Sequence, residues 1–504
     1  MDYTTFLQAL VSSLLCYWVG WILYARWLHP LSKFPGPPLA AISRIWTVLH
    51  VLRGKAQDEQ KALHQKYGPI VRIAPDELAI SDPRAVKAIY GVNSGFKKTD
   101  FYLPFRSPFA RYPDHFTATD EKSHASRRKI VHHIYSLTSI LQAEEYVDKC
   151  TDLFLQCLGE MADAQTSVDL LKWARMYAYD VVGEFYFGQM FGFLKNKDDH
   201  IGYLSSTDSL IPVMTLSAVM PSYVRSIFML GGFMFSRMRK AVGAFDVLTK
   251  AADLAVENRR HLFEKGDVSQ RKPDLLTRAF EIYYRRGVEL DFQLIDLKME
   301  AFGAFFGGSD TSAIAISGTM YHIIRNEQAY RTLVEEIDQA TRDGKLSMPH
   351  LMYNEAVKLP YLDACIKEGM RIHPSVGLTM PRHTPAEGAH VAGYWVPGNT
   401  RIGINPAVLQ KDTSVFGDDA EVFRPDRWLE TNAHQLNQYI LQFGGGSRTC
   451  MGKHMALCEL YKIIPEILRS FHLSLESSDT LKTSAFWFYK PASVHVRVRR
   501  RSDN

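Results

Sequence analysis

Phe443-Gly-Gly-Gly446-Ser-Arg448-Thr-Cys450-Met-Gly452 is the stretch on which the reading of this chain turns. It sets one cysteine among glycines, directly before a helical run from Lys453 to Leu468. Gly444 to Gly446 let the backbone turn sharply and lie close to a flat neighbour. Backbone N–H groups at the start of the following helix can point at the sulfur, lowering its pKa and tuning its electron donation. Arg448 carries a permanent charge two residues before the cysteine, where it could grip a carboxylate. The layout suits a single thiolate presented to a metal. A buried cysteine in a glycine-rich loop is the plainer alternative, and the loop by itself does not separate the two.

Phe443, Gly446, Arg448, Cys450 and Gly452 stand at the spacing of a known signature, and by it the chain resembles the cytochrome P-450 family. The resemblance runs from the Pro-rich hinge at 29–40 to the C-terminus. It implies a mainly α fold with small β-sheets and a haem b whose iron takes Cys450 as axial ligand. Such a thiolate pushes electron density onto iron and favours O–O cleavage. Phe443, Gly446 and Gly452 then shape the haem loop, and Arg448 meets a propionate. His124-Ala-Ser-Arg127-Arg128 is similar to the family's haem-facing helix, with His124 in an aromatic's place. His124 and Arg128, four apart, could bind one carboxylate together. Arg382, in Met380-Pro-Arg382, fits a strand arginine aimed at a propionate. Surface residues are the plainer reading of each.

Gly307-Gly308-Ser309-Asp310-Thr311 interrupts an apolar helical run that begins near Asp291. Two glycines there cost roughly 1 kcal/mol each against alanine, and a buried acid is expensive without a partner or a task. The pair resembles the family's acid and alcohol: Asp310 relaying protons inward, Thr311 hydrogen-bonding the oxygen held at the iron. A kink with Asp310 paired to a surface base is the alternative. Glu368-Gly-Met-Arg371 puts an acid and a base on one helix face. It resembles the family's buried E-x-x-R, with Arg427 of Phe423-Arg-Pro-Asp-Arg427-Trp428 as third member and a structural role. Trp428 stands where Phe is commoner.

Helical periodicity is expected over 58–67, 85–90, 121–133, 142–162, 170–188, 238–264, 291–325, 327–342, 361–372 and 453–471. Short strands are expected over 70–73, 78–81, 390–396, 400–404 and 494–498. A second apolar region, 204–235, is broken by Pro212, Pro221 and Arg225 and is a poor spanning helix. It reads equally as core or as the family's entrance helices dipping into a bilayer. Substrate contacts are expected from 101–116, 301–306, 376–380 and 484–488, all mainly apolar, which suits a bulky lipophilic molecule.

Tyr3 to Ala25 holds no charged residue, and about 20 apolar helical residues span the roughly 30 Å hydrocarbon core. Trp18, Trp21, Tyr24 and Trp27 gather at its end, with Arg26 and Lys33 beyond and only Asp2 before. That asymmetry puts the body in the cytosol. A cleaved signal peptide would want a basic start and a small-residue cleavage site, both missing. The organisation expected is an anchor at 1–28 (spanning about 3–25), a Pro-rich hinge at 29–40 around Phe34-Pro-Gly-Pro-Pro38, and a catalytic domain at 41–504. Apolar residues make up 46% and charged residues 22% of the 504, an ordinary globular balance. Six irregularly spaced cysteines and no glycosylation sequon fit a reducing, cytosol-facing body. A net charge of +5 without a basic run argues against nucleic acid as a partner.

The reaction implied is monooxygenation of a lipophilic small molecule with O2, at the endoplasmic reticulum membrane, in the manner of fungal secondary-metabolite members such as pisatin demethylase. No G-x-G-x-x-G follows a strand, so electrons from NADPH need a separate NADPH–cytochrome P-450 reductase, with cytochrome b5 as a second donor. A haem-thiolate isomerase or dehydratase acting on a peroxide is the alternative enzyme, and such members tend to lose the acid–alcohol pair. A non-catalytic haem- or ligand-binding membrane protein is the alternative of another class, and it has no need of Gly-Gly-x-Asp-Thr.

Overall fold

The computed structural model describes residues 3–107, 109–232, 234–265 and 273–501. Asp2, Pro108 and Phe233, which fall in stretches interpreted above, lie outside them. Helices dominate, with small sheets at the margin, as the periodicity led one to expect.

The centre is built from two helices. Leu170–Phe187 buries every residue but Lys172, because it is apolar or aromatic on all faces. Asp169 caps its start by accepting the N–H of Leu171, and Gly188, at φ 68°, ends it. Packed against it is the longest helix described, Leu294–Arg325, the central helix. It begins three residues later than expected. Asp291 is left-handed at φ 48°, and Gln293 and Asp296 form a capping box that fixes the first turn.

Ala85–Tyr90 and Glu327–Arg342 form over the expected residues. The helix expected over 361–372 gains Pro360 at its first position. Pro212 does not interrupt its helix: Tyr203–Val219 runs through it, held by a buried face that includes Leu210, Ile211, Met214 and Ala218. The break falls at Pro221, after which Ser222–Gly232 forms a second helix. The strand expected over 390–396 is a hairpin, Ala389–Val391 with Tyr394–Val396, turning at Ala392 and Gly393 where φ is positive. Leu275–Arg286 and strands Thr483–Ala485 and Tyr489–Pro491 had no clear signal.

A five-stranded sheet pairs Ile70–Ala74 with Glu77–Ile80, then Arg401–Ile404, Arg382–His383 and Lys97–Lys98. Its register places Lys98 opposite Arg382. At the N-terminus the exposed helix Tyr3–Leu23 continues as a π-helix, Tyr24–Leu28, and this run is long and apolar enough to cross a membrane. The proline stretch after it is packed against the body. Arg72 donates its N–H to Pro35 O at 2.8 Å and its guanidinium to Ala25 O at 2.8 Å. A side chain at Gly36 would run into the Arg72 carbonyl, so this close approach requires glycine.

Candidate active site

The cysteine loop closes on itself through Cys450 N–H to Phe443 O at 2.8 Å. Gly444 and Gly446 have φ of 68° and 59°, and a Cβ at Gly446 would collide with the Tyr90 carbonyl. The loop therefore needs glycine both for its turn and for its contact. Gly452 caps the helix Lys453–Ser470. Burial pushes the Cys450 thiol up, while N–H groups of Gly452 and Lys453 and the charge of Arg128 pull the other way. The residue as a whole is nevertheless exposed.

Cations converge above this loop. His124 is 2% exposed, and its Nε2 has no hydrogen-bond partner. Burial, then the charges of Arg448, His115, Lys98 and Arg128, hold it down to about 3. Arg128 makes no hydrogen bond or ion pair among the described residues, and burial draws it below the usual guanidinium range. Arg448 is engaged by the Glu121 carboxylate at 2.7–3.1 Å and by Ala118 O at 2.8 Å. Arg382 donates to the Tyr102 hydroxyl at 2.7 Å, between the rings of Tyr90 and Tyr102. Lys98, absent from the sequence expectations, donates to Phe116 O at 2.6 Å and lies 4.3 Å over the Tyr102 ring. Burial and the neighbouring Arg382 and Arg448 push its ammonium well down. Its only signal in the sequence was a register with Arg382 that no single strand reveals. Packed cations with an orphaned imidazole nitrogen and a partnerless guanidinium suit an anionic group. A macrocycle carrying two carboxylates over the Cys450 sulfur fits this donor set. No group of three His, Cys, Asp or Glu that could hold a metal ion forms among the described residues.

The central helix is continuous through Gly307 to Thr311 rather than interrupted. A Cβ at Gly308 would come within 2.9 Å of Val182, so that glycine serves helix packing, while Gly307 faces nothing within 4 Å. Thr311 Oγ1 donates to Gly307 O at 2.7 Å. Asp310, 3% exposed, accepts from Arg175 Nε at 2.5 Å. Burial alone would raise its carboxyl. Arg175, Lys490 and hydrogen bonds from Arg175 and Thr207 prevail and hold it below the usual range. Its partner is thus a buried base, not the surface one weighed from sequence.

Glu368 and Arg371 join in a bidentate pair, Nε and Nη2 each at 2.7 Å. Arg427 Nε adds a bond at 3.0 Å, Arg424 N–H another at 2.9 Å, and the Trp428 indole a third at 2.9 Å. Arg371 also donates to Gln410 O, and the Gln410 side chain accepts Leu441 N–H at 2.8 Å, so the cluster reaches the cysteine loop. Of the stretches expected to touch substrate, Phe105, Phe116, Phe306 and Trp487 meet in one aromatic cluster, ring centroids 5.5–6.2 Å apart. Val376 bridges Phe488 beside it.

A family model described as Cytochrome P450 matches residues 35–494. The chain is 39% identical over 485 residues to cytochrome P450 monooxygenase gsfF of Penicillium aethiopicum, covering 96% of each. It is 36% identical over 378 residues to cytochrome P450 monooxygenase ACRTS1 of Alternaria alternata, covering 75% of this chain and all of that one. It is 30% identical over 510 residues to pisatin demethylase of Fusarium vanettenii, covering 99% and 95%.

Proposed function

The chain belongs to the cytochrome P450 family, and from that premise we propose that it is a membrane-anchored haem-thiolate monooxygenase acting on a bulky lipophilic small molecule in a fungal secondary-metabolite pathway. The observation that carries the haem site is Cys450 within electrostatic reach of a group of cations, of which the Arg128 guanidinium and His124 Nε2 lack protein partners among the described residues. Haem, when bound there, supplies reductive activation of O2 and insertion of one oxygen atom into the substrate. Cys450 would hold its iron through the thiolate, with Gly452 and Lys453 N–H groups tempering the sulfur's charge. His124, Arg128, Lys98 and Arg382 would hold the propionates. Arg448, bonded to Glu121, joins them by sharing its charge or exchanging partners.

Thr311 orders water on the central helix, and Asp310 passes protons to that water. Phe105, Phe116, Phe306 and Trp487 exclude bulk water and hold an apolar substrate against the central helix that carries Thr311. Electrons come from NADPH through a separate reductase, with cytochrome b5 as a second donor. The exposed apolar helix Tyr3–Leu23 supports a single-pass anchor in the endoplasmic reticulum, body in the cytosol. The domain reading that goes with it is an anchor at 1–28, a connecting segment at 29–40 and the catalytic domain at 41–504. The name of pisatin demethylase supports a small-molecule substrate. Turnover with purified reductase under 18O2 tests the proposal across a panel of lipophilic molecules. One labelled oxygen per product is expected, and product free of label would contradict it.

A further inference from the structure

Asp310 takes part in a chain of alternating charges that the chemistry above leaves unused. Arg175, on the buried helix Leu170–Phe187, gives Nε to Asp310 Oδ1 at 2.5 Å and Nη1 to Asp208 Oδ2 at 3.0 Å. Its Nη2 bonds Leu204 O at 2.9 Å and Thr207 Oγ1 at 3.1 Å. Asp208, Leu204 and Thr207 all belong to Tyr203–Val219, the roof helix, which packs on the turn Asp100–Phe105 that carries Phe105 of the aromatic cluster. Lys490, on strand Tyr489–Pro491, closes the chain on Asp208 Oδ1 at 2.5 Å. Asp310 and Arg175 are buried, whereas the Asp208 side chain is 49% exposed.

We propose that Asp208 is a positioning residue that keeps Arg175 neutralised while Asp310 lets go of it to carry a proton, so that the roof helix sets the proton supply at Thr311. The inference rests on the reading of Asp310 as relay acid. A carboxylate held by a guanidinium is not a proton donor. To act, Asp310 must turn from Arg175, take a proton from water on the solvent side and give it to water at Thr311. It then returns to Arg175 as carboxylate. One proton has moved inward, and only O–H bonds have been made and broken. Stranding a buried guanidinium without an anion is strongly unfavourable, and Asp208 removes that obstacle because it already shares Arg175. Lys490 holds Asp208 in place in turn. Lys490 lies three residues from Trp487 of the aromatic cluster, which ties the hairpin that holds Asp208 to that cluster.

The charged and polar groups facing Asp310 are Arg175 and Tyr179 from one helix, Thr207 and Asp208 from the roof, and Lys490 from the hairpin. The test uses the full-length chain with reductase and compares Asp208→Asn, Asp208→Glu, Lys490→Gln and Asp310→Asn. Readouts are the NADPH consumption rate, its solvent isotope effect, and the pH titration of the Asp310 carboxyl by infrared difference against Asp310→Asn. Asp208→Asn leaves Arg175 to Asp310 alone. It is expected to slow substrate-stimulated NADPH use on the order of ten-fold, to enlarge the isotope effect, and to move the Asp310 titration to lower pH. Asp208→Glu should recover most of the rate. Lys490→Gln, at the hairpin end of the chain, should move the titration upward and serves if Asp208→Asn does not fold. Wild-type isotope effects and titrations in Asp208→Asn, or an unmoved titration in Lys490→Gln, would overturn the inference while leaving Asp310 its role. Wild-type NADPH use and coupling in Asp310→Asn would instead remove the relay reading on which it rests.

Discussion

Two buried carboxylates, Glu368 and Asp310, both sit against arginine, and they are built to opposite ends. Glu368 is saturated: Arg371 holds both oxygens, and Arg427, Arg424 N–H and Trp428 fill what remains. Arg371 is equally committed, to the carbonyls of Gln410, Ala420 and Val422. Besides a bond from Thr207, Asp310 has one short contact, to a guanidinium whose other N–H groups are given to acceptors on the roof helix. The difference is between a charge that cannot leave its partners and one whose partner is already shared. The first suits bracing the cysteine loop, and the second suits moving a proton.

The sharpest way to break the comparison is Arg371→Ala. It takes from buried Glu368 the bidentate partner that holds both oxygens, leaving Arg427 as its one charged partner, and removing one partner of such a pair costs about 3–5 kcal/mol. The variant should lose haem and fold together, seen as a collapse of soluble, haem-loaded protein. A variant of wild-type thermal midpoint and haem content would mean that Glu368 braces nothing.

Thr311→Ala should leave haem content and melting temperature nearly unchanged, since its hydroxyl bonds only Gly307 O. Product formation should fall by about 10²–10⁴-fold, the usual range for a lost positioned proton-transfer group. NADPH should still be consumed, its electrons appearing as hydrogen peroxide. Product and peroxide measured per NADPH decide this, and normal coupling would reduce the residue to a helix back-bond.

A smaller effect is carried by His124. Its folded pKa, held to about 3 by burial and then by Arg448, His115, Lys98 and Arg128, lies below the roughly 6.5 of an unfolded chain. As pH falls through 6.5 towards 3, the unfolded state takes up a proton that the native state refuses. Stability is therefore present above that window and lost within it. His373, also held to about 3, acts in the same window, so the variant His124→Asn isolates the share of His124. Thermal midpoints of haem-free protein should fall less steeply with acidity in that variant. The smallest change is expected of Trp428→Phe, which removes one of several bonds to Glu368 and should cost about 1 kcal/mol in denaturant unfolding.

Much of this was legible in the sequence where spacing and chemistry coincide. The loop ending in Cys450, the Glu368–Arg371 pair, and the helices 85–90 and 327–342 follow from local pattern, while Arg427 as a third member followed only from the family resemblance. What escaped was held by distant partners. Arg175 reads as one charge in an aromatic helix, and only the packing of three helices brings Asp310, Asp208 and Thr207 to it. Lys98 sits in a two-residue strand whose meaning lies in its register with Arg382. Pro212 looked like a helix breaker because local propensity outweighed, on paper, the buried face that holds Tyr203–Val219 together. Trp428 looked like a mild departure, yet its indole N–H supplies a bond to Glu368 that phenylalanine could not.

The central claim is a haem held by the Cys450 thiolate, and the ferrous–carbon monoxide difference spectrum tests it most directly. The wild-type chain should give the red-shifted band of a thiolate-ligated haem, and Cys450→Ala should lose that band together with turnover. A wild-type spectrum without it, or a Cys450→Ala variant that retains it, would contradict the account.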